Sequence, residues 1–365
     1  MTRKPEGDLR RGWTTGACAT AATKAAYTAL LTGQFPDPVS ITLPKGEQPA
    51  FALARERLEG DQASAAIVKD AGDDPDVTHL ALVGATLRRS PAGQGVVFKA
   101  GPGVGTVTKP GLPLAVGEPA INPVPRQMMT AVVQEVAAAH GDAGDVEIEI
   151  SVDNGAALAE KTWNPRLGIL GGLSILGTTG VVIPFSCSAW IHSIHRGIDV
   201  ARANGLTHAA ACTGSTSEAA MQKLYGLPEI ALLDMGDFAG GLLKYLRKHP
   251  LPRLTVAGGF GKLCKLAAGH LDLHSGRSQV DFDLLAAVLR DLGAAPDIVR
   301  EARRANTAKQ VLEMAASAGL PLADAIAEKA RTVALATLDN PEIAVEVMIF
   351  DRQGQEAGRA RGWEG

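Results

Sequence analysis

The sequence predicts a mixed α/β protein of two domains, and three features of the chain indicate this fold class. Up to about residue 165, candidate strands follow one another with few helices between them, which is typical of an α+β domain. Beyond that point, apolar strands alternate with helical stretches, and residues 281–337 contain three or four consecutive helical patterns. The second half is therefore expected to be a doubly wound, mostly parallel Rossmann-like sheet with a helical extension.

The first predicted domain, residues 1–165, begins with an Ala-rich helix that Thr14 or Thr15 can cap and that Gly33 can end. Short segments with β-branched residues, bounded by Gly, Pro or Asp, follow this helix. They predict strands at 38–43, 51–57, 62–69 and 77–87.

A long segment, residues 101–126, is too rich in Gly and Pro to form a helix. Its length is unusual for a simple connection and suggests a functional or wrapped loop. A helix over 126–139 and a strand over 145–152 complete the first domain.

The second predicted domain, residues 166–340, alternates strands with helices. Strands are predicted at 207–214, 229–236 and 253–259, and a helix follows each, at about 216–225, 237–248 and 260–269. A last strand at 342–350 belongs to a C-terminal segment, 341–365, that ends in a polar tail. Residues 167–195 lack Asp, Glu, Lys and Arg, but their frequent Gly, Thr and Pro indicate buried strands and loops instead of a membrane helix.

The composition narrows the class of protein. The net charge is -3, from 36 basic and 39 acidic residues that are well mixed, so no nucleic-acid surface is expected. Four cysteines lie far apart without a C-x-x-C pair, which is typical of reduced thiols in a cytosolic protein. The N-terminus has no apolar segment of the kind found in signal peptides. We therefore expect a cytoplasmic protein without a nucleic-acid or membrane partner.

Three small, polar loops follow the predicted strands, at 171–180, 212–218 and 234–241. Ligands of open parallel sheets bind at the carboxyl ends of the strands, and free N–H groups at helix starts favour carboxylates or phosphates. Ser215 and Glu218 have the spacing of a capping box. The third loop, DMGDFAGG, resembles the first motif of Rossmann-like methyltransferases, although Phe238 replaces an expected Gly. Taken alone, its glycines are better explained by a turn and by tight helix packing.

Other signatures are incomplete. GGFGKL at 258–263 has a Gly-Lys pair but lacks the spacing and the hydroxyl of a phosphate-binding P-loop. GPGVG at 101–105 is the nearest match to a dinucleotide-binding fingerprint, but its Pro and the strand that follows it argue against such a site. His192 and His195 share one helix face without a nearby carboxylate, so core or substrate-facing histidines are favoured and no protein metal is expected. Cys187 has no partner that would activate it and is interpreted as structural.

The segment VKDAGDDPDVTH, residues 68–79, carries four carboxylates, Asp70, Asp73, Asp74 and Asp76, although a turn does not need such repelling charges. Three interpretations are open. The segment could be a solvated turn in which Asp side chains cap backbone N–H groups. It could bind Mg²⁺ or Ca²⁺, or it could line a substrate cleft with one carboxylate as a base.

Four segments of the chain resemble the hallmark segments of the CbiD family, at 12–26, 68–78, 103–126 and 171–182. The resemblance implies methyl transfer from S-adenosylmethionine to C-1 of cobalt-precorrin-5B, which gives cobalt-precorrin-6A in cobalamin biosynthesis. It implies that S-adenosylmethionine is the methyl donor and that a small-molecule corrin precursor carries the cobalt. The resemblance does not decide whether the protein forms a homo-oligomer. A tetrapyrrole oxidoreductase that uses NAD(P) and a non-catalytic tetrapyrrole carrier are the alternatives, and the missing dinucleotide fingerprint counts against the first.

The resemblance moves the cleft interpretation of the acidic segment ahead and makes Asp70 and Asp73 the candidate catalytic residues. The candidate partners of the substrate's carboxylates and ring are Thr14, Thr15, Lys69, Lys109, Arg126, His192 and His195. The candidate cofactor-binding residues are Gly171, Gly172, Thr178, Thr179, Gly180, Thr213, Gly214, Ser215, Asp234 and Gly236. We expect the tetrapyrrole between the two domains and the cofactor on the C-terminal one, with the Gly-rich N-terminal segments as the alternative.

Overall fold

The computed structural model describes residues 7–363, and the chain divides into two compact units, Met1–Cys187 and Ser188–Gly365. The strands of the first unit are β1 (Gly12–Trp13), β2 (Val39–Ser40), β3 (Ala50–Phe51), β4 (Arg55–Glu59), β5 (Gln62–Val68), β6 (Leu82–Arg89), β7 (Val96–Ala100), β8 (Thr106–Val107), β9 (Val146–Val152), β10 (Ile169–Leu170) and β11 (Val181–Val182). Its helices are α1 (Thr15–Thr32), α2 (Pro123–His140) and α3 (Gly155–Ala159).

Helix α1 is the centre of the first unit. Thirteen of its 18 residues are buried, because their small side chains let the helix pack closely against β5, β6 and α2. The Thr14 side chain accepts a hydrogen bond from the N–H of Ala17, and Gly33, with a φ of 79°, ends the helix. The predicted first helix and both of its ends are therefore confirmed.

The main sheet of the first unit has the strand order β4-β5-β6-β9-β7, and only the β7–β9 pair is parallel. Along β9, Val146, Ile148, Ile150 and Val152 are buried while the residues between them are half-exposed, so one face of the strand meets the core. Three strand predictions are wrong in detail. The predicted strand 38–43 contains only the two residues of β2, the predicted strand 51–57 is divided between β3 and β4, and the strand predicted at 77–87 begins at Leu82. Strand β7 was not predicted.

Residues 166–187 pair with strands of the first unit, although the sequence predicts a second domain from residue 166. Strand β10 pairs with β8, and β11 pairs with β1 through Gly12↔Val182 and Trp13↔Val181. The partner strands β8 and β1 are distant from β10 and β11 in the sequence, so no local sequence pattern predicts the pairing. Short strands and loops do occupy residues 167–186, but α4 begins at Cys187, and Leu170, Leu176 and Ile183 are more than half exposed, so the interpretation of the apolar segment as buried is only partly right.

The second unit contains the strands β12 (His208–Cys212), β13 (Leu232–Asp234), β14 (Arg253–Gly259), β15 (Ala344–Phe350) and β16 (Glu356–Ala360). The helices that follow the first unit's are α4 (Cys187–Ala203), α5 (Ser215–Tyr225), α6 (Ala239–Lys248), α7 (Phe260–Ala267), α8 (Phe282–Asp291), α9 (Pro296–Arg304), α10 (Ala308–Ser317) and α11 (Leu322–Leu338). Between residues 7 and 363, no helix is both long and apolar enough to span a membrane.

The sheet of the second unit has the order β13-β12-β14-β15-β16, and its first four strands are parallel. The chain leaves β12 in one direction to form β13 and then crosses to the other side of β12 to form β14. Right-handed crossovers therefore carry α5 and α6 to opposite faces of the sheet. The predicted doubly wound sheet and its four-helix extension, α8 to α11, are confirmed.

The end of the chain is a strand and not only a polar tail, which corrects the prediction. Strand β16 pairs antiparallel with β15, and Arg359 donates from Nε to Glu346 at 2.7 Å. The Glu346 side chain is fully buried and also accepts hydrogen bonds from Tyr225 at 2.7 Å and Thr255 at 3.0 Å. A buried carboxylate needs such partners, and so Arg359 anchors the last strand to the sheet.

Candidate functional site

The four segments that resemble the CbiD family come together in the first unit. Strand β1, in segment 12–26, pairs with β11 in segment 171–182, and the N–H of Trp13 donates to the carbonyl of Asp70 at 2.7 Å. Segment 103–126 is bound to segment 171–182 by the N–H of Ile175, which donates to Ala120 at 2.8 Å, and by the N–H of Asn122, which donates to Ile175 at 3.0 Å. One cluster of crossing backbones therefore contains all four segments.

The start of α1 is covered by segment 171–182. The carbonyl of Leu176 accepts from the N–H of Gly16 at 3.0 Å and from the hydroxyl of Thr15 at 3.1 Å. Thr14 is buried and caps Ala17. Because the carbonyl of Leu176 takes the donor of the Thr15 hydroxyl, the structure disfavours Thr15 as a partner of a substrate carboxylate. The predicted role of Thr14 stays a prediction.

Each carboxylate of the acidic segment has a partner, which answers why four can stand so close together. Asp70 forms a bidentate pair with the Arg10 guanidinium and accepts from the N–H of Gly72 at 2.9 Å. The other three accept hydrogen bonds as follows: Asp73 from the N–H of Arg10 at 2.6 Å, Asp74 from the N–H of Phe185 at 2.8 Å, and Asp76 from Lys69 at 2.6 Å and Thr78 at 2.7 Å. The segment therefore ties distant parts of the first unit together.

The pKa values of the acidic segment differ with these partners. The hydrogen bonds and charge of Arg10, with the Gly72 N–H, lower the pKa of Asp70 to about 2. Burial and the neighbouring Asp76 raise the pKa of Asp74, against the effect of the Phe185 N–H. A carboxylate with so low a pKa holds a proton poorly at neutral pH, which disfavours Asp70 as a general base.

For the methyl transfer that the CbiD resemblance implies, we expect the Asp70→Asn variant to keep its single-turnover rate within about tenfold of the wild type. The reason is that Asp70 is disfavoured as the base, and removal of a positioned general base would cost about 10²- to 10⁴-fold. The rate is measured at pH 7, with Asp73→Asn and Asp74→Asn in parallel. A loss of more than about 100-fold in Asp70→Asn would restore its catalytic assignment. The catalytic role of Asp73 stays a prediction.

The three basic residues that were predicted to bind the substrate differ in whether their side chains already have partners in the protein. Lys69 is 1% exposed and pairs with Asp76, so it is not available to a substrate. Arg126 donates to the carbonyl of Ile121 at 2.8 Å and pairs with Glu118 at 2.8 Å, which holds segment 103–126 in place. Lys109 has no ion-pair or hydrogen-bond partner within residues 7–363, and its aliphatic stem lies against Gly168. Of the three, Lys109 remains available for a ligand carboxylate.

His192 and His195 lie on α4 in the second unit. The ring of His195 stacks on Tyr245 with centroids 3.9 Å apart, and its Nε2 lies 3.2 Å from the carbonyl of Gly241. Burial lowers the pKa of His195, against the effect of the hydrogen bond to Gly241. These contacts favour a packing role for His195. In the part of the chain that the structure describes, no group of three or more potential ligands is arranged to hold a metal ion.

The predicted cofactor residues are divided between the two units. Gly171, Gly172, Thr178, Thr179 and Gly180 lie in the first unit, within the crossing of the four segments. There the carbonyl of Gly180 accepts from Thr14 at 2.9 Å, and the hydroxyl of Thr179 bonds to Val181. Thr213, Gly214, Ser215, Asp234 and Gly236 lie in the second unit, at the carboxyl ends of β12 and β13.

Thr213, Gly214 and Ser215 follow β12 and lie at the switch point of the doubly wound sheet, between the carboxyl ends of β12 and β14, whereas Asp234 and Gly236 lie at the end of β13 on the other side of β12. In such sheets, the crevice at this point is where ligands bind. The residues before α5 and α7, Gly214 and Gly259, provide no side-chain cap, and no atom lies within 4 Å of a Cβ built at either position. Ser215 is the first helical residue and not the cap, so the predicted capping box with Glu218 is wrong.

The fold and this geometry define a two-unit α/β protein whose second unit has the open switch point of ligand-binding doubly wound sheets. The model of the family described as CbiD matches residues 2–184, and the model of its C-terminal domain matches residues 272–361. The chain belongs to the CbiD family.

Curated relatives agree over nearly the whole chain. A protein of Paramagnetospirillum magneticum named cobalt-precorrin-5B C(1)-methyltransferase is 65% identical, over 97% of this chain and 99% of the relative. A protein of Rhodospirillum rubrum with the same name is 63% identical, over 98% and 99%. The crystal structure of a cobalamin biosynthesis protein (cbiD) from Archaeoglobus fulgidus is 27% identical, with a TM-score of 0.41, and covers 74% of this chain and 84% of that chain.

Proposed function

We propose that this chain is a C-methyltransferase that transfers a methyl group from S-adenosylmethionine to C-1 of cobalt-precorrin-5B and forms cobalt-precorrin-6A in cobalamin biosynthesis. The observation that carries the proposal is the 65% identity to a relative of that name over 97% of the chain. A match of this extent covers both units. The cobalt carried by the substrate, the cytoplasmic location and a homo-oligomeric state remain predictions.

The chemistry requires alignment more than acid–base catalysis. S-adenosylmethionine supplies a methyl group that is already electrophilic, so the protein has to hold the donor and the ring carbon about 3–3.5 Å apart. We place the donor at the switch point of the second unit, beside Thr213, Gly214, Ser215, Asp234 and Gly236. The reversal of strand order and the open space at Gly214 support this placement.

The first unit is the proposed contributor of substrate contacts. The corrin precursor carries several carboxylate side chains, and a lysine without a protein partner can bind one of them. Lys109 is such a residue, and it lies in segment 103–126. Its ammonium would orient the macrocycle by one of its acetate or propionate groups.

The proposal is tested by incubation of the purified protein with S-adenosylmethionine and cobalt-precorrin-5B. We expect a product heavier by one methylene unit and an equal amount of S-adenosylhomocysteine, both measured by mass spectrometry. A titration with NAD(P)⁺ serves as the comparator for the oxidoreductase alternative. Saturable binding of NAD(P)⁺ without methylated product would contradict the proposal, and unchanged substrate that stays bound would indicate a carrier.

The Gly214→Val variant tests the donor site without a change of fold. The φ of Gly214 is 164°, which is extended backbone that any residue adopts, and no atom lies within 4 Å of its Cβ position. We therefore expect an unchanged Tm and at least about tenfold weaker binding of S-adenosylhomocysteine by calorimetry, a loss of about 1.4 kcal/mol. An affinity equal to that of the wild type would show that the donor binds elsewhere.

A further inference from the structure

The sequence GGFGK, residues 258–262, lies at the switch point, although it lacks the features of a P-loop. Strand β14 ends at Gly259, and α7 begins at Phe260, so Lys262 is in the first turn of that helix. The proposed donor site lies beside the same strand end. The motif therefore needs an explanation other than phosphate binding in a P-loop.

Lys262 connects the segments that follow three of the four parallel strands, β12, β13 and β14. Its Nζ lies 2.9 Å from Oδ1 of Asp237, in the loop after β13, and 3.3 Å from the carbonyl oxygen of Thr213, directly after β12. Lys262 itself follows β14. The ammonium thus stands where the ends of three adjacent strands converge.

The hydrogen-bonding groups of the Asp237–Lys262 ion pair are only partly used. Asp237 is only 6% exposed, and among residues 7–363 no donor makes an aligned hydrogen bond to its Oδ1, despite the nearby ammonium. Buried polar oxygens in folded proteins are almost always hydrogen-bonded, so an oxygen without one indicates a missing donor. The Lys262 side chain is 36% exposed, and an ammonium has three donors, of which the protein uses at most two here.

The pair is complementary to a zwitterion. Its negative member lacks a donor, and its positive member has a donor to spare beside the uncapped start of α7. An α-amino acid group carries one ammonium and one carboxylate on adjacent atoms. A phosphate or a simple carboxylate would satisfy Lys262 but would be repelled by Asp237.

We propose that Asp237 and Lys262 bind the methionine end of S-adenosylmethionine, with its ammonium on Asp237 and its carboxylate on Lys262 and the first N–H groups of α7. This inference rests on the proposed function and assigns residues to its donor site. Such a site would distinguish S-adenosylmethionine and S-adenosylhomocysteine from nucleosides that lack the amino-acid group. The acetate and propionate groups of the corrin precursor have no ammonium and do not fit the pair.

The test is a calorimetric titration of the full-length protein with S-adenosylhomocysteine and with methylthioadenosine, which has the same nucleoside but no amino-acid end. We expect Lys262→Met to weaken S-adenosylhomocysteine about 10- to 100-fold, as for a lost hydrogen bond to a charged group, and to leave methylthioadenosine unchanged. Asp237→Asn should weaken the same ligand selectively. Lys223→Met, which removes an exposed lysine from α5 in the same unit, is the matched control.

Three results would overturn the inference. They are unchanged affinity of Lys262→Met for S-adenosylhomocysteine, an equal loss for both ligands, and wild-type protein that binds S-adenosylhomocysteine no more tightly than methylthioadenosine. Failure of the proposed function is separate, because it appears as absence of methylated corrin from the wild-type protein.

Discussion

The Lys69→Met variant should lose about 3–5 kcal/mol of the free energy of unfolding, as expected when one partner of a buried ion pair is removed. Lys69 is 1% exposed, and its Nζ lies 2.6 Å from Asp76, whose side chain is 25% exposed, so a loss at the lower end of this range is expected. Met has a similar length and fills the space of the aliphatic stem. The loss then reflects the carboxylate that is left without its counter-charge. Urea unfolding followed by circular dichroism measures it.

The double variant Lys69→Met/Asp76→Asn is the control, because it removes both charges. We expect it to recover more than half of the loss, since replacing a whole buried pair is often nearly neutral. If Lys69→Met alone lost less than about 1 kcal/mol of the free energy of unfolding, the prediction would be contradicted. The pair would then contribute no more than a surface ion pair does.

The pH dependence of stability should follow Asp76. Burial by itself raises the pKa of Asp76, but the charge of Lys69 and the hydrogen bonds from Lys69 and Thr78 outweigh it, so the pKa is lowered. A carboxylate with a lowered folded-state pKa contributes stability above its unfolded-state pKa and loses it as the pH falls through the folded-state value. The wild-type protein should therefore lose this contribution in acid.

Gly103→Ala should cost at least about 3 kcal/mol, because the new side chain meets backbone that cannot move aside. A Cβ at this position would lie 2.0 Å from the carbonyl oxygen of Val152, and the φ of 78° already disfavours any other residue. The carbonyl of Gly103 also accepts from the N–H of Leu173 at 2.9 Å. Its displacement would separate segment 103–126 from segment 171–182, and methylation would fall with stability.

Gly171→Ala is the matched control for this variant. Its φ is 84°, close to that of Gly103, but no atom lies within 4 Å of the added Cβ. We expect a cost of about 1–2 kcal/mol from the left-handed conformation alone. Equal unfolding midpoints for the two variants would show that backbone contact at Gly103 contributes nothing beyond the unusual φ.

The acidic segment shows how far sequence reasoning about a site can reach. Its four carboxylates suggested a turn, a metal site or a substrate cleft. The structure shows a different arrangement. Asp70 and Asp73 bind Arg10 through its guanidinium and its backbone N–H, and Asp74 accepts a hydrogen bond from the backbone N–H of Phe185. These partners lie up to 111 residues away, so the local pattern could not reveal them.

The second unit was predictable because its signals are local. Strand–helix alternation predicted the parallel sheet and the helices that connect its strands, although α4, which precedes the sheet, was not predicted. Strand β16 was missed because its stabilising contact, Arg359 with the buried Glu346, joins two elements through side chains and leaves no apolar pattern in the tail. Lys262 was set aside for a similar reason, since its partners Asp237 and Thr213 follow other strands.

The sequence by itself determined the mixed α/β class, the helix α1 with its caps, the doubly wound sheet, and the resemblance to the CbiD family that the comparisons confirmed. Periodicity and capping act over a few residues, and a family resemblance is contained in the order of residues. Only the tertiary structure decided that residues 166–187 pair with the first unit, that Lys69 is buried, and that Lys262 stands at the convergence of three strands. Those features depend on hydrogen bonds and ion pairs between residues that are distant in the chain, and such contacts exist only once the chain has folded.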